Sequence, residues 1–190
     1  MAIVLASQSP RRQELLARIG VEDFKTLSLD IDESYPEGLS PEDTVRYIAK
    51  KKCDAAAALC APDDLIITAD TMVFLDNDRL GKPHDEEDAL RMLRALSGRG
   101  HTVCTGVSVR RGAQEERFAV STRVFFRPMT DDEIRAYIKT GEPMDKAGAY
   151  GVQSRGALFV ERIDGDFFNV MGLPVEQLGL VLARFGVKLL

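Results

Sequence analysis

Short apolar runs alternate along this chain with segments of helical periodicity, and that alternation restricts its fold more than any other feature. Ile3 to Ala6 reads as a buried strand. Ser9 then offers a helix cap, Pro10 suits the first helical position, and Leu15, Leu16 and Ile19 mark an apolar face that Gly20 closes. Phe24 to Leu29 is predicted as a second strand. Ser40-Pro41 opens a longer helix with Glu42 and Asp43 in its first turn, where the helix dipole favours acids. Val45, Ile48, Ala49 and Lys52 share one stripe of that helix. Leu65 to Ala69 is predicted as a third buried strand that ends at Asp70-Thr71, with Val73 to Leu75 extended before the turn Asp76-Asn77-Asp78.

Gly81-Lys82-Pro83 breaks the chain ahead of a helix built on Ala89, Leu90, Leu93 and Leu96. Thr102 to Val109 and Phe118 to Phe126 read as two long strands around a turn at Arg111-Gly112. Thr130 and Glu133 form a capping box for a helix whose apolar face is Ile134, Tyr137 and Ile138, closed by Gly141. Leu158 to Ile163 and Phe167 to Val170 flank Asp164-Gly165, which predicts a hairpin. Pro174 opens a last helix with Leu178, Val181, Leu182 and Phe185 inside. Strands alternating with helices, joined by long antiparallel hairpins, predict an α/β chain with a mixed twisted sheet and flanking helices.

A length of 190 residues suits a single domain over 1–190, or two lobes sharing a core. The formal charge of −5 argues against a general nucleic-acid binder, while leaving room for a local basic pocket. The three cysteines, Cys53, Cys60 and Cys104, have no C-x-x-C spacing and read as small buried hydrophobes in a reducing compartment. Cys53 and Cys60 are expected on one helix. The opening Met-Ala-Ile-Val-Leu-Ala-Ser lacks a basic n-region and a long apolar h-region. No apolar run approaches the roughly 20 residues that a membrane span needs. A cytoplasmic protein with no membrane or nucleic-acid partner is expected.

Chemistry-bearing residues gather in a few loops. Ser7, Ser9, Arg11 and Arg12 stand at a helix N-terminus, where backbone N–H groups and the dipole favour an anion and two guanidinium groups suit phosphate oxygens. A surface arginine pair beside an ordinary cap is the plain alternative. Asp70, at the carboxyl end of a predicted strand, can hold a metal or take a proton from water, or simply cap a turn. Glu33, with Asp32 and Asp30, can hold Mg²⁺ or form an acidic surface loop. Lys52 closes the run Lys50-Lys51-Lys52, usually a solvated face, yet its stripe lets it reach a pocket. Lys82 lies in a Gly-Lys-Pro turn where a ligand can approach the backbone. The stretch Glu142 to Gln153 mixes acids, a base, glycines and an amide, as site loops do, although a structural Ω-loop can look the same. Gln153 can both donate to and accept from a base edge. His84 and His101 have no second histidine at metal spacing and read as structural or surface residues. Neither a Walker A nor a G-x-S-x-G pattern occurs.

In order, these segments resemble the Maf family: L-A-S-Q-S-P-R-R (Leu5 to Arg12), I-D-E (Ile31 to Glu33), A-K-K-K (Ala49 to Lys52), A-D-T-M-V (Ala69 to Val73), G-K-P (Gly81 to Pro83), S-G-R-G-H (Ser97 to His101), E-P-M-D-K-A-G-A-Y-G-V-Q (Glu142 to Gln153) and N-V-M-G-L-P (Asn169 to Pro174). The resemblance implies an elongated two-lobed Maf-like architecture around a central cleft, similar to inosine triphosphate pyrophosphatases. It implies hydrolysis of a nucleoside triphosphate to its monophosphate and pyrophosphate, dependence on a divalent metal (Mg²⁺ or Mn²⁺), and a homodimer. By position, Asp70 matches the proposed proton acceptor, with Glu33, Lys52 and Lys82 the other catalytic polar residues. Glu33 and Asp70 are the implied metal holders. Ser9, Arg11 and Arg12 match the phosphate-binding loop. Arg12, Thr71 and Gln153 match the specificity positions of a branch similar to dTTP/UTP pyrophosphatases. Sanitation of modified pyrimidine nucleotides, or a nucleotide-binding regulator of septum formation, are the competing expectations.

Overall fold

A computed structural model of the chain describes residues 2–190. Its centre is a seven-stranded sheet in the order β2-β1-β3-β5-β6-β7, with β4 paired to β3. β1 (Ile3–Leu5) lies parallel to both β2 (Phe24–Thr26) and β3 (Leu65–Leu75). The helices α1 (Pro10–Arg18) and α2 (Pro41–Ala57) connect these three strands. β3 turns back into β4 (Asp78–Leu80) and leads on to α3 (Glu86–Leu96). β5 (Gly100–Arg111) and β6 (Gln114–Phe126) are the long neighbouring strands. After α4 (Asp131–Ile138) and three short 3₁₀ turns come β7 (Val160–Asp164), the five-residue helix α5 (Phe167–Met171) and α6 (Val175–Arg184). The mixed α/β class with flanking helices is therefore as expected. Among the described residues no helix is long and apolar enough to cross a membrane.

The chain divides into two compact units. The first comprises the chain up to Asp70, Thr105–Val120 and Gly172–Leu190; the second comprises Thr71–Cys104 and Ser121–Met171. In the first unit, Cys53 and Ala56 of α2 pack with Ala6 and Ile66, and Leu27 and Leu29 close the cluster. In the second, the rings of the buried His101, Phe126 and Tyr150 stand edge to face with one another, and Tyr137 stands edge to face with Phe159. Ser40 caps α2 from its side chain, and the Thr130–Glu133 capping box is formed in full.

Several local expectations change. Strand β2 stops at Thr26; Leu27 N still donates to the Leu5 carbonyl at 3.0 Å, and Leu27 and Leu29, both half-buried, pack on the core cluster from the loop that follows. Cys60 lies beyond the end of α2 and is half-buried, whereas Cys53 and Cys104 are buried. Asp70 does not end a strand: β3 runs on to Leu75, since Val73 to Leu75 pair with β4. What does end near Asp70 is the pairing with β1, whose last partner is Ile67. Phe167 to Met171 is helical rather than the second arm of a hairpin. There the Asp166 carboxylate accepts from Phe168 N, and the Asn169 amide donates to the Val103 carbonyl and Thr122 Oγ1. The two Asn169 bonds, made to residues 47 and 66 positions away, outweigh a local Asp-Gly turn signal.

Candidate active site

Three parallel strands in the order β2-β1-β3 create a point from which neighbouring connections leave in opposite directions, the usual place for a ligand in an open α/β sheet. The loop after β1 leads straight into α1. Ser7 is buried there, and its hydroxyl accepts from Ser9 N at 3.2 Å and from Arg12 Nη1 at 3.4 Å. Arg12 Nε donates to the Gly172 carbonyl at 2.8 Å. The guanidinium is thus aimed by a Ser hydroxyl on one side and a backbone carbonyl 160 residues away in sequence on the other. Desolvation lowers its pKa from the ordinary arginine value; Asp70 and Glu33 oppose that shift, and Arg11 adds to it. Ser9 sits at the N-cap in extended conformation, yet its side chain makes no cap bond.

The next part of the site follows from two periodicities. Thr68 Oγ1 donates to the Ala49 carbonyl at 2.7 Å, fastening β3 to α2. Asp70 lies two residues on along the same strand face, and Lys52 three residues on along the same helix face. The two therefore meet: Lys52 Nζ lies 2.7 Å from Asp70 Oδ1. The same ammonium lies 2.8 Å from Glu33 Oε1. The Lys52 and Asp70 side chains are only 14% and 10% exposed, so their attraction is little screened, whereas Glu33 is 58% exposed.

The lysine run is divided by the helical twist. Lys50 pairs with Asp54 on its own helix, Lys51 with Asp32, and only Lys52 with the buried acid. Asp32 is engaged elsewhere: hydrogen bonds from the Ser34 side chain and backbone, then from Lys51, lower its pKa to about 2. Of the acids predicted around Glu33, only Glu33 itself joins Lys52.

The second unit holds the remaining candidates. Thr71 follows Asp70 on β3, so its side chain points to the opposite face of the sheet. Lys82 is exposed in the Gly81-Lys82-Pro83 turn, and the Gly81 carbonyl accepts from Gly148 N at 3.0 Å. Gln153 is exposed, and its side-chain amide makes no hydrogen bond among the described residues. Glu33, Lys52 and Asp70 are thus in direct contact, with Arg12 in their electrostatic field. Lys82 and Gln153 are joined through one loop. Sequence reasoning placed Tyr137 on a helix's apolar face and Glu142 in a candidate loop, and it singled out neither of them nor the Gly172 carbonyl as a hydrogen-bonding group. All three lie in or beside segments that carry the family resemblance, but a bond made across distant parts of the chain leaves no local pattern.

A family model described as Maf-like protein matches residues 2–185. A protein of Bacillus velezensis named dTTP/UTP pyrophosphatase is 48% identical over 186 residues, covering 98% of this chain and 97% of its own. One of the same name from Bacteroides thetaiotaomicron is 45% identical over 177 residues, covering 93% and 92%. In fold, the chain is similar to a HAM1 protein from Coxiella burnetii, with a TM-score of 0.56, 15% identity and coverage of 97% and 99%. It is likewise similar to the Staphylococcus aureus Ham1 protein, with a TM-score of 0.56, 14% identity and coverage of 97% and 100%. Those two likenesses concern architecture alone. The family match and the near-half identity both run almost from end to end, and the chain belongs to the Maf family.

Proposed function

We propose that this protein hydrolyses nucleoside triphosphates, preferring dTTP and UTP, to the monophosphate and pyrophosphate. The observation that carries this reading is the Lys52 ammonium shared by Glu33 and the buried Asp70, within the electrostatic field of Arg12. The relatives named dTTP/UTP pyrophosphatase support the substrate class. A triphosphate is a polyanion, and fixed cations in a water-poor site favour the charge that develops on its oxygens. Arg11 and Arg12 supply that field beside the Ser9 loop, and Lys82 adds a further cation. Thr71 and Gln153 read the pyrimidine edge, because a site built for such bonds rejects bases that leave its groups unpaired.

In the hydrolytic step a water oxygen attacks the α-phosphorus. The bond from that phosphorus to the bridging oxygen of the β-phosphate breaks, and pyrophosphate leaves with the electron pair. Asp70 accepts the water proton, and Lys52 holds the carboxylate in place for that transfer. Glu33 fixes Lys52 from the solvent side. Positioning and electrostatics supply most of the acceleration, as in other phosphoryl transfers.

The donor set suits a hard cation that arrives with the substrate. Glu33 and Asp70 offer carboxylate oxygens, and no cluster of three or more His, Cys, Asp or Glu residues forms a cage of its own among the described residues. Mg²⁺ or Mn²⁺ is commonly held by one or two carboxylates plus phosphate oxygens. Glu33 and Asp70 would hold it, and the cation would neutralise charge on the leaving pyrophosphate. A cytoplasmic homodimer belongs to the same reading on the strength of the family resemblance.

Pyrophosphate release is the test, measured with and without Mg²⁺ or Mn²⁺ over dTTP, UTP, CTP, GTP, ATP and a modified pyrimidine triphosphate. We expect metal-dependent release from dTTP and UTP and little from the purines. In the same assay Asp70→Asn should lower turnover about 10²-fold or more, the usual scale of general-base catalysis. A folded protein inactive on the whole panel defeats the enzyme reading. A higher kcat/KM for the modified nucleotide redirects it to sanitation.

A further inference from the structure

The loop that carries Gln153 is organised around one carboxylate. Glu142 Oε1 accepts from Tyr137 Oη at 2.8 Å, from Ser154 Oγ at 2.6 Å and from Gly156 N at 3.2 Å. Its Oε2 accepts from Arg155 N at 3.2 Å. Tyr137 Oη accepts in turn from Gly151 N at 3.1 Å. The two sides of Gln153 are therefore both tied to Glu142, one directly and one through a single tyrosine. Only an ionised carboxylate accepts from all these donors at once, and Glu142 has no ion-pair partner among the described residues. Desolvation would raise its pKa, but the bonds from Ser154, Tyr137, Gly156 and Arg155 together hold it below the ordinary glutamate value.

The packing leaves this loop no slack. A Cβ on Gly156 would stand 2.6 Å from the Gly151 carbonyl and 2.8 Å from Tyr137 Oη, and one on Gly151 would stand 2.8 Å from Lys146 Cε. Lys146 Nζ closes the other end on the Glu142 carbonyl at 2.7 Å. Gly148 of the same loop grips the Gly81 carbonyl beside Lys82. Gln153 is exposed on this fastened loop, with its amide uncommitted among the described residues.

We infer that Glu142 is a positioning residue whose carboxylate holds the loop in the shape that presents Gln153 to the base. This rests on the reading of Gln153 as the group that recognises the pyrimidine. Glu142→Gln is the sharpest probe, since it keeps size and shape but sets an NH₂ group against one of the backbone donors. Its effect should appear as lost discrimination rather than as a uniform loss of rate.

The experiment is a double-mutant cycle of Glu142→Gln and Gln153→Ala, reading kcat/KM for dTTP against GTP, with hydrogen exchange on the same proteins. We expect Glu142→Gln to lower the dTTP/GTP ratio about tenfold, to no lower a value than Gln153→Ala does. The double variant should match Gln153→Ala alone, because interacting sites are not additive. Exchange at Arg155 N and Gly156 N should quicken at least tenfold, while the amides of β5 stay protected. Independent, multiplicative effects on the ratio, or unchanged exchange at those two amides, overturn the clamp while leaving the pyrophosphatase reading intact. A wild-type protein inactive on every nucleotide overturns both.

Discussion

His101 adds to stability only while it stays neutral. It is 2% exposed, its Nε2 meets Tyr150 Oη at 2.8 Å, and its ring stands edge-on to Phe126. Its Nδ1 is buried with no hydrogen-bond partner. Burial lowers its pKa from 6.5 to about 4. The unfolded chain thus binds a proton near pH 6.5 that the folded chain refuses until about pH 4. The contribution is whole above pH 6.5 and declines as pH falls toward 4, so this group costs roughly 2 kcal/mol at pH 5 relative to pH 7. Urea unfolding of His101→Phe should show a smaller loss between those two pH values by about that amount. An identical loss in the variant would mean that the group titrates normally. The imidazole also meets Tyr150, which stands three residues before Gln153 in the same loop.

At the scale of elements, the contact of α2 with the sheet brings Lys52 to Asp70. Gly106 of β5 lies beneath that helix, and a Cβ there would stand 2.3 Å from the Val45 carbonyl carbon and 2.4 Å from its oxygen. Neither neighbour can rotate away, because both are helix backbone. Gly106→Ala must push the helix off the sheet, and we expect a loss of about 3 kcal/mol with an unchanged urea m-value. A change within about 0.5 kcal/mol, the range of an ordinary surface substitution, would show the helix to be loosely seated. The same seating sets the Thr68 to Ala49 bond and, one step further along both elements, the Lys52 to Asp70 pair. Activity in Gly106→Ala should therefore fall together with stability. The stretch after β7 teaches the converse lesson: Asp164-Gly165 has the local chemistry of a hairpin turn, and the Asn169 and Thr122 bonds convert the following residues to a short helix.

For the whole molecule, the functional reading makes the folded state a receptor for a polyanion, despite a formal charge of −5. Net charge governs long-range approach, whereas arginine and lysine at short range govern binding. A nucleotide that binds only the folded chain stabilises it by about 2.7 kcal/mol at 100 times its Kd. For a protein of this size that is a rise in Tm of roughly 5–10 °C. A non-hydrolysable α,β-imido dUTP should produce that rise in circular-dichroism melts with Mg²⁺ present, and the ATP counterpart should produce far less. Equal rises with both analogues would place base discrimination in the chemical step rather than in binding. The two units partition the candidates: Ser9, Arg11, Arg12, Glu33, Lys52 and Asp70 belong to the first, and Thr71, Lys82 and Gln153 to the second.

The α/β class, most elements and the identity of the candidate residues were legible in the sequence by itself. Helices declare their caps and their apolar spacing within a few residues, as Ser40, the Thr130–Glu133 box and the Leu15-Leu16 face do here. The ordered motifs from Leu5 to Pro174 likewise pointed to one family. Tertiary structure alone decided that Lys52, singled out by its stripe, bridges Glu33 and Asp70, that Asp70 lies within a strand rather than at its end, and that Asp32 is spent on Lys51. It also decided that Glu142 gathers the loop around Gln153, and that Arg12 is aimed by the Gly172 carbonyl. Each of these depends on a contact between residues 12 to 160 positions apart or on the seating of one element against another. Local propensity acts over a turn or two, whereas hydrogen bonds and charges act through space, so these outcomes exist only once the chain has folded.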